Sequence, residues 1–293
     1  MENILQKERA LITGAGGFLA WNFACVAMSQ FDLFGTVFKS RVESESIIKT
    51  GVCDLRNFRE TQRVLDEVKP KVVFHFAALS DPNICQLEAK LSEDINYKAT
   101  VQLAALCEER NIELIFTSTD LVFDGRKGNY SEQDEVNPIS RYAEHKIMAE
   151  EDLKTNPFAK ICRMPLMYGS LPQANRSMFY GIKTKLENNE PVYLFTDEYR
   201  TAASAPCAVK GLLLAQMLEE KILHLGGPER MSRYEMGLKM AEYYGLPKSL
   251  IKASLQKDVK MPAARPPDVS LNSTKSFSKG FDPITLKNYM GKI

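Results

Sequence analysis

The sequence predicts an α/β protein with a doubly wound parallel sheet, and three observations support this prediction. Strand-like and helix-like patterns alternate from Glu8 to Gly169. The run from Lys71 to Ala78 is continuously apolar, which is typical of a parallel strand covered on both faces. A glycine-rich turn separates the first strand from the first helix. Strands that alternate with helices in this way form a parallel sheet with helices on both faces.

The predicted elements follow from the local patterns. Strands are predicted over 8–13, 33–40, 50–55, 71–78, 112–120 and 160–169, and helices over 18–28, 57–70, 94–110 and 140–155. Beyond Gly169 the alternation weakens, and the stretches GSLPQANRS and DEYRTAASAP have the composition of loops. We therefore expect a sheet domain over 1–168, with a segment of about 204–226 returning to it. A smaller substrate lobe is expected over 169–203 and 227–293.

The composition excludes several classes of protein. The chain has 293 residues, 44% hydrophobic and 26% charged, and a formal net charge of +1, so no nucleic-acid or membrane-surface partner is expected. The N-terminus does not have the pattern of a signal peptide, and no apolar run approaches the roughly 18 residues of a membrane helix. The 6 cysteines are scattered and are expected to be buried free thiols in the cytoplasm. The 3 histidines do not have metal-ligand spacing, so no metal site is expected.

The stretch TGAGGFLA, residues 13–20, fits a phosphate-binding turn between a strand and a helix. Gly14 makes the turn, Gly17 lets a pyrophosphate approach the backbone, and Ala20 is small enough for the helix to pack on the strand. The N-terminus of the helix then offers free N–H groups to the phosphates. A glycine-rich turn without a ligand has the same pattern. The predicted cofactor residues are Gly14, Gly16, Gly17, Phe18 and Leu19.

The end of the second strand predicts which nicotinamide cofactor binds. A carboxylate at this point would accept a hydrogen bond from a ribose 2′-hydroxyl and repel a 2′-phosphate. The sequence instead has Lys39, Ser40 and Arg41, which favour the phosphate of NADP(H) over NAD(H). The other interpretation is a solvated polar turn. Further along, Asp54 either accepts from an adenine amino group or caps the next helix, with Leu55 beside it.

Two later stretches contain the candidate catalytic residues. Ser118 and Thr119 end a buried strand, where doubly wound sheets bind ligands. Tyr142 and Lys146 are four residues apart and therefore share one helix face. A nearby ammonium is expected to lower the pKa of the phenol, and the lysine can also hold the nicotinamide ribose. We expect hydride transfer between the nicotinamide and a carbonyl carbon, with Tyr142 moving the proton on oxygen.

In their order along the chain, these motifs resemble those of the extended short-chain dehydrogenase/reductases. Within that group the sequence is similar to the dTDP-4-dehydrorhamnose reductases and their sugar-nucleotide-reductase relatives. The resemblance extends over nearly the whole chain. It is carried by TGAGGFLA, HFAALSDPNICQLE with Asn96 further on, STDLVFDG, SEQDEVNPISRYAEHKIMAE, RMPLMYG and RPPDVSLNSTK.

The resemblance implies a Rossmann-like NADPH-binding domain, a homodimer, and reduction of a 4-keto group on a nucleotide-linked deoxysugar. Its catalytic set would be Thr119, Tyr142 and Lys146, with the threonine preferred to Ser118. The cofactor would also contact Ala77 and Ala78, besides Tyr142 and Lys146. Substrate-binding residues would be Ser80, Asp120, Phe123 and Arg200. Arg200 is placed either to meet a diphosphate or to lie on the surface.

The sequence also departs from the family's pattern. Ala143 stands where the family usually has a glycine after the tyrosine, and His145 where it has a small or hydroxyl residue before the lysine. We expect His145 on the helix surface. Leu166 stands in the stretch where the family often has tryptophan. His75, flanked by phenylalanines, is expected to be a core histidine bonded to backbone. Asn96 either binds backbone at a helix kink and supports the lysine, or lies on the helix surface.

Two other functions are compatible with the same motifs. One is a nucleotide-sugar epimerase that keeps and recycles its nicotinamide; dehydration is disfavoured because Leu121 follows Asp120 where a glutamate would be needed. The other is a non-catalytic, NADP-binding regulatory subunit like that of methionine adenosyltransferase. The presence of both Tyr142 and Lys146 favours an enzyme.

Overall fold

The computed structural model describes residues 7–39, 46–169 and 178–290. Its first half contains β1 (Glu8–Thr13), α1 (Phe18–Ala27), β2 (Phe31–Val37), β3 (Lys49–Val52), α2 (Phe58–Val68), β4 (Val72–His75), α3 (Pro82–Leu87), α4 (Ala89–Glu93), a π-helical turn (Asp94–Lys98), α5 (Ala99–Glu109), β5 (Glu113–Thr119), a 3₁₀ turn (Asp120–Val122) and α6 (Arg141–Lys154). The second half contains β6 (Ala159–Met164), β7 (Met167–Tyr168), α7 (Met178–Glu187), β8 (Val192–Phe195), β9 (Tyr199–Arg200), β10 (Ala203–Ser204), α8 (Ala205–Met217), β11 (Ile222–His224), β12 (Met231–Ser232), α9 (Arg233–Tyr243), β13 (Ile251–Ser254), α10 (Thr274–Ser278) and α11 (Leu286–Met290).

The central sheet is parallel and has 7 strands in the order β11-β6-β5-β4-β1-β2-β3. This confirms the predicted fold class and each strand predicted up to β6. The order reverses between β1 and β4, so the carboxyl ends of these neighbouring strands flank the crevice in which such sheets bind ligands.

Apolar side chains cover both faces of the sheet. On one face, Phe23 of α1 packs on Phe74 of β4, with ring centroids 4.3 Å apart, and Leu212 of α8 joins the same core. On the other face, Leu103 of α5 and Leu153 of α6 pack over the sheet. Strands buried on both sides read as continuous apolar runs, which is why the sequence pattern located them.

The C-terminal part forms a separate core around α7, α9 and α11, which includes Met236, Met240 and Leu286. The stretch DEYRTAASAP is not only a loop, because it forms β9 and β10 and begins α8. Most of GSLPQANRS lies outside the described residues. Within 205–224, α8 packs on the central sheet and β11 is one of its strands. The division of the chain into a cofactor domain and a substrate lobe stays a prediction.

All 6 cysteines are free thiols, five of them buried and Cys25 exposed. Among the described helices, none has the length and apolar character needed to cross a membrane.

Candidate functional site

The glycine turn is fixed against the neighbouring strand. Gly14 has φ +67°, and a Cβ at this position would lie 2.8 Å from the Cα and the N of Ala77. The Thr13 hydroxyl accepts hydrogen bonds from the backbone N–H of Phe76 and of Ala77, each at 3.1 Å. The turn after β1 therefore lies directly on the segment that follows β4. Only glycine fits both the backbone conformation and the close approach.

The first turn of α1 remains available to an anion. Gly17 is the N-cap of this helix and has no side chain, so the N-cap residue itself gives the first N–H groups no side-chain acceptor. Phe18 and Leu19 begin the helix, and Gly16 is exposed. Sequence reasoning missed Gly35 in β2, where a Cβ would lie 2.7 Å from that of Ala15. The signal was a glycine inside a strand, which often marks the close approach of another backbone.

The end of β2 presents an aromatic ring between two cations. Phe38 is 52% exposed, with Lys39 Nζ 5.1 Å and Arg56 Cζ 5.3 Å from its ring centroid. Ser40 and Arg41 lie outside the described residues. Arg56 was not predicted, because it comes from the turn after β3 and reaches this place only through the fold.

Asp54 does not cap α2, which corrects one of the two alternatives. The cap is Asn57, whose side chain accepts from the N–H groups of Arg59 and Glu60. The Asp54 carboxylate instead pairs with Arg56 at 2.7 Å, and this hydrogen bond holds the pKa of Asp54 below its usual range. Beside it, the carbonyl of Leu55 accepts from a side chain of α5.

The structure brings the predicted catalytic groups together. Thr119 ends β5, and Tyr142 and Lys146 lie on the inward face of α6, whose N-cap is Ser140. All three are buried, with exposed fractions of 7%, 9% and 2%. The Thr119 hydroxyl is close enough to the Tyr142 phenol to lower the pKa of that phenol, whereas the hydroxyl of Ser118 is buried without a partner in the described part of the chain.

Burial is the largest influence on the pKa values of Lys146 and Tyr142, both on α6. Removal from water lowers the pKa of Lys146 to about 7, against the opposing charge of Glu150. Its ammonium lies 4.1 Å from the centroid of the Phe116 ring. The pKa of Tyr142 is raised, first by burial and then by Cys85 and Asp120. The expectation that Lys146 lowers the pKa of Tyr142 is therefore wrong for the protein alone, since a lysine with a pKa near 7 carries only part of a charge at neutral pH.

A buried polar network supports α6 from behind, and Asn96 is its centre. Asn96 lies in the π-helical turn and is 1% exposed, so its surface alternative is wrong. Its side chain accepts from the backbone N–H of Leu79 at 2.9 Å and donates to the Leu79 carbonyl at 3.0 Å. It also donates to the hydroxyl of Ser92, which is 2.8 Å from Nδ1 of His145.

Two histidine predictions need correction. His145 is buried, with 6% exposed, because α6 packs against α4 and the π-helical turn, so it does not lie on the surface. His75 is a core histidine as predicted, but its partners are hydroxyls rather than backbone: Thr13 at 2.7 Å and Thr100 at 3.0 Å. Thr100 donates to a backbone carbonyl, so His75 donates from Nε2 and accepts at Nδ1 from Thr13. This neutral state agrees with a pKa lowered by burial to about 3.

Arg200 is neither on the surface nor free to bind an anion alone. It is 5% exposed and donates to Asp120 at 2.7 Å and to Glu198 at 3.2 Å. Phe123 is fully buried against Tyr130, with centroids 4.1 Å apart, so it supports the site from behind. Ser80 is exposed after β4.

Two arginines that sequence reasoning left unassigned lie near this ion pair. Burial lowers the pKa of Arg233 and of Arg265, and the positive charge of Arg200 contributes to both shifts. The negative charge of Glu198 acts in the opposite direction and raises both pKa values. Cations that lie close enough to repel one another are suited to an anionic ligand. The signal for Arg265 was the stretch RPPDVSLNSTK, of which it is the first residue. Within the described ranges, no group of three or more acidic, cysteine or histidine side chains could hold a metal ion.

The fold and the site define a Rossmann-like protein of the extended short-chain dehydrogenase/reductase type. The family model described as RmlD substrate binding domain matches residues 8–290, and the chain belongs to this family.

Individual relatives are consistent with this membership. The chain is 31% identical over 267 residues to the probable low-salt glycan biosynthesis reductase Agl14 of Haloferax volcanii, covering 88% of this chain and 87% of that one. It is 26% identical to methionine adenosyltransferase 2 subunit beta of Rattus norvegicus, covering 96% and 85%. The structure of dTDP-4-dehydrorhamnose reductase from Bacillus anthracis, in complex with NADP, superimposes with a TM-score of 0.87 at 20% identity, covering 98% of each chain.

Proposed function

We propose that this protein is an NADPH-dependent reductase of a 4-keto group on a nucleotide-linked deoxysugar. The observation that carries the proposal is that Thr119 at the end of β5 and Tyr142 and Lys146 on the adjoining α6 lie at the carboxyl edge of the sheet, the edge that also has the glycine turn. The family and the reductase name of the Haloferax volcanii relative support a reduction.

Each group has a role in this mechanism. The bound cofactor would supply the hydride. The turn at Gly14 and Gly17 and the N-terminus of α1 would hold the pyrophosphate. Lys146 would bind the nicotinamide ribose, and Tyr142 would donate its proton to the sugar oxygen while Thr119 orients that oxygen. The pKa of Tyr142 is raised, so the phenol is in its acid form at neutral pH, as a reduction requires.

The finer assignments belong to the same proposal. NADP(H) is preferred over NAD(H), because Lys39 and Arg56 flank the exposed ring at the end of β2 and no carboxylate follows that strand directly. Arg233 and Arg265 extend the predicted role of Arg200 toward the substrate diphosphate. We also propose a cytoplasmic homodimer and oxidation–reduction of a CH–OH/C=O group.

The test is the decay of NADPH absorbance with the 4-keto product of a dTDP-glucose dehydratase. The wild type is expected to consume NADPH, and Tyr142→Phe is expected to lose at least about a hundredfold in rate because the proton donor is gone. Tyr193→Phe, a change at an exposed tyrosine, is the matched control and keeps full activity. Measurable NADPH binding without any decay would overturn the proposal.

A second candidate function rests on the relatives named methionine adenosyltransferase 2 subunit beta. It would be a regulatory subunit that binds NADP without turnover. Co-elution with a methionine adenosyltransferase catalytic subunit, together with no hydride transfer, would favour it. An epimerase, the remaining alternative, would retain tightly bound nicotinamide through purification.

A further inference from the structure

A series of buried side chains joins the glycine turn to the interior of the molecule. The series begins at the Thr13 hydroxyl, which accepts from the backbone N–H of Ala77. It continues through His75 and Thr100, each hydrogen-bonded to the next, to the backbone carbonyl of Asn96. These four side chains are at most 1% exposed. The hydrogen bonds therefore connect β1, β4 and α5 with the π-helical turn.

The side chain of Asn96 extends this connection to α6. Its amide nitrogen donates to the Leu79 carbonyl at 3.0 Å and to the Ser92 hydroxyl at 3.1 Å. The Ser92 hydroxyl lies 2.8 Å from Nδ1 of His145, and both residues are buried. His145 directly precedes Lys146. The series therefore ends on the helix that has two of the candidate catalytic side chains.

The hydrogen bond between Ser92 and His145 has a definite direction. An amide nitrogen can only donate, so Ser92 accepts from Asn96 and has its one proton left to donate. Nδ1 of His145 accepts that proton at 2.8 Å. If Nδ1 carried a proton instead, the Ser92 oxygen would face two donors, and its own proton would be buried without this acceptor, which is costly. Burial lowers the pKa of His145 and so favours the neutral ring.

We propose that His145, through its hydrogen bond with Ser92, is a positioning residue that fixes α6 against the segment 77–79 after β4. The first residue of this segment lies against the glycine turn, and the last is hydrogen-bonded to Asn96. The inference rests on the proposed reductase function, because it concerns where α6 places Lys146 relative to the bound cofactor. It assigns a role to the position at which this chain has a histidine instead of a small or hydroxyl residue.

Two substitutions at position 145 separate hydrogen bonding from packing. His145→Asn places an amide oxygen where Nδ1 lies, so Ser92 keeps its acceptor. His145→Leu fills the same space with a carbon atom and leaves the Ser92 proton without that acceptor. Leucine is the better helix former and is apolar, so packing and helix propensity alone favour His145→Leu over His145→Asn. The positioning role requires the opposite order.

The measurements are NADPH affinity, by cofactor fluorescence, and the kinetics of reduction of the 4-keto product of a dTDP-glucose dehydratase. We expect His145→Leu to lower kcat by about ten- to a hundredfold and to weaken NADPH binding about tenfold, since small displacements of reacting groups have effects of this size. His145→Asn is expected to stay within about threefold of the wild type in both, because the hydrogen bond is kept.

Asn156→Ala is the control for lost stability. It removes a buried hydrogen bond, 3.2 Å long, from the residues just after α6 to the Ala104 carbonyl of α5. We expect this variant to unfold more easily in urea while it keeps the kcat and the NADPH affinity of the wild type. A loss of both in Asn156→Ala as large as in His145→Leu would mean that any weakening around α6 has this effect, and the positioning role would be overturned.

A second variant keeps the test decisive if His145→Leu folds poorly. Ser92→Ala removes the same hydrogen bond from the other side and is expected to cause the same losses. If Ser92→Ala retains the kcat and the NADPH affinity of the wild type, or if His145→Leu equals or exceeds His145→Asn in both measurements, the positioning role is overturned while the reductase function stands.

The affinity measurement also distinguishes a failure of the reductase function. A wild type that binds NADPH without turnover, together with weaker binding in His145→Leu and restored binding in His145→Asn, would reject the reductase function and support the positioning role. A wild type that does not bind NADPH at all would overturn both.

Discussion

Gly14 has a left-handed backbone conformation and lies against the backbone of another segment. Its φ of +67° is strained for any residue with a Cβ, and the nearest atoms to that Cβ would be backbone atoms of Ala77 at 2.8 Å. Backbone atoms cannot move aside as a flexible side chain does. The position therefore combines two separate reasons for glycine, and a matched pair of variants can distinguish them.

Gly14→Ala is expected to lower the free energy of unfolding by at least about 3 kcal/mol, as strain and clash add, and to weaken NADPH binding more than tenfold. Gly245→Ala is the control. That residue has φ +64° with no atom within 4 Å of its Cβ, so only the backbone strain of about 1 kcal/mol is expected. Urea unfolding would measure the free energy of unfolding of both variants, and cofactor fluorescence would measure their affinity for NADPH. An equal loss of unfolding free energy in the two variants would mean that the close approach of Gly14 to Ala77 contributes nothing to stability.

At the residue scale, the sequence predicts the position of those candidate site residues whose spacing along a helix or strand fixes where they lie. Tyr142 and Lys146 share a face in any helix, and Thr119 ends a strand whose apolar pattern is plain. Burial was not predictable in the same way. His145 reads as polar and exposed, yet α4 and the π-helical turn cover it. The lowered pKa of Lys146 also depends on what packs around it, and no local pattern contains that information.

At the scale of elements, regular strands and helices followed the sequence closely, and the irregular segment did not. The run 94–110 was predicted as one helix, but it begins with a π-helical turn at Asp94–Lys98. Such a turn inserts one extra residue and changes which side chains face inward. Here it places Asn96 where both of its amide atoms meet the backbone of Leu79.

Asn96→Ala is expected to lower the free energy of unfolding by roughly 2–4 kcal/mol, because the Leu79 N–H loses its partner and the Leu79 carbonyl keeps only the thiol of Cys85. Cofactor affinity is expected to fall as well, since Leu79 follows the Ala77–Ala78 segment. Gln102→Ala removes one hydrogen bond from the neighbouring α5 and is the control, with a loss of about 1 kcal/mol. Hydrogen exchange at the Leu79 amide would check the mechanism; unchanged protection there would contradict it.

Over the whole molecule, buried neutral histidines join distant parts of the chain. His75 connects β1, β4 and α5 through Thr13 and Thr100. His224 of β11 accepts from Arg163 at 3.3 Å and donates to the carbonyl of Tyr130 at 3.0 Å. Neither arrangement has room for a second ring proton without losing an existing hydrogen bond. Burial lowers the pKa of each to about 3.

This predicts a specific loss of stability in mild acid. A histidine whose pKa is lowered in the folded state takes up a proton only when the chain unfolds, once the pH falls below its ordinary value of about 6.5. The free energy of unfolding should therefore decrease as the pH falls through the interval from about 6.5 to about 3, by up to about 1.4 kcal/mol per pH unit for each histidine. Urea titrations between about pH 7 and about pH 5 would measure the slope, above the range in which most carboxylates titrate. His75→Asn should unfold more easily at neutral pH but show a slope smaller by about one proton, since the titrating ring is gone. If the variant retains the slope of the wild type, the acid sensitivity arises from other groups and His75 does not contribute to it.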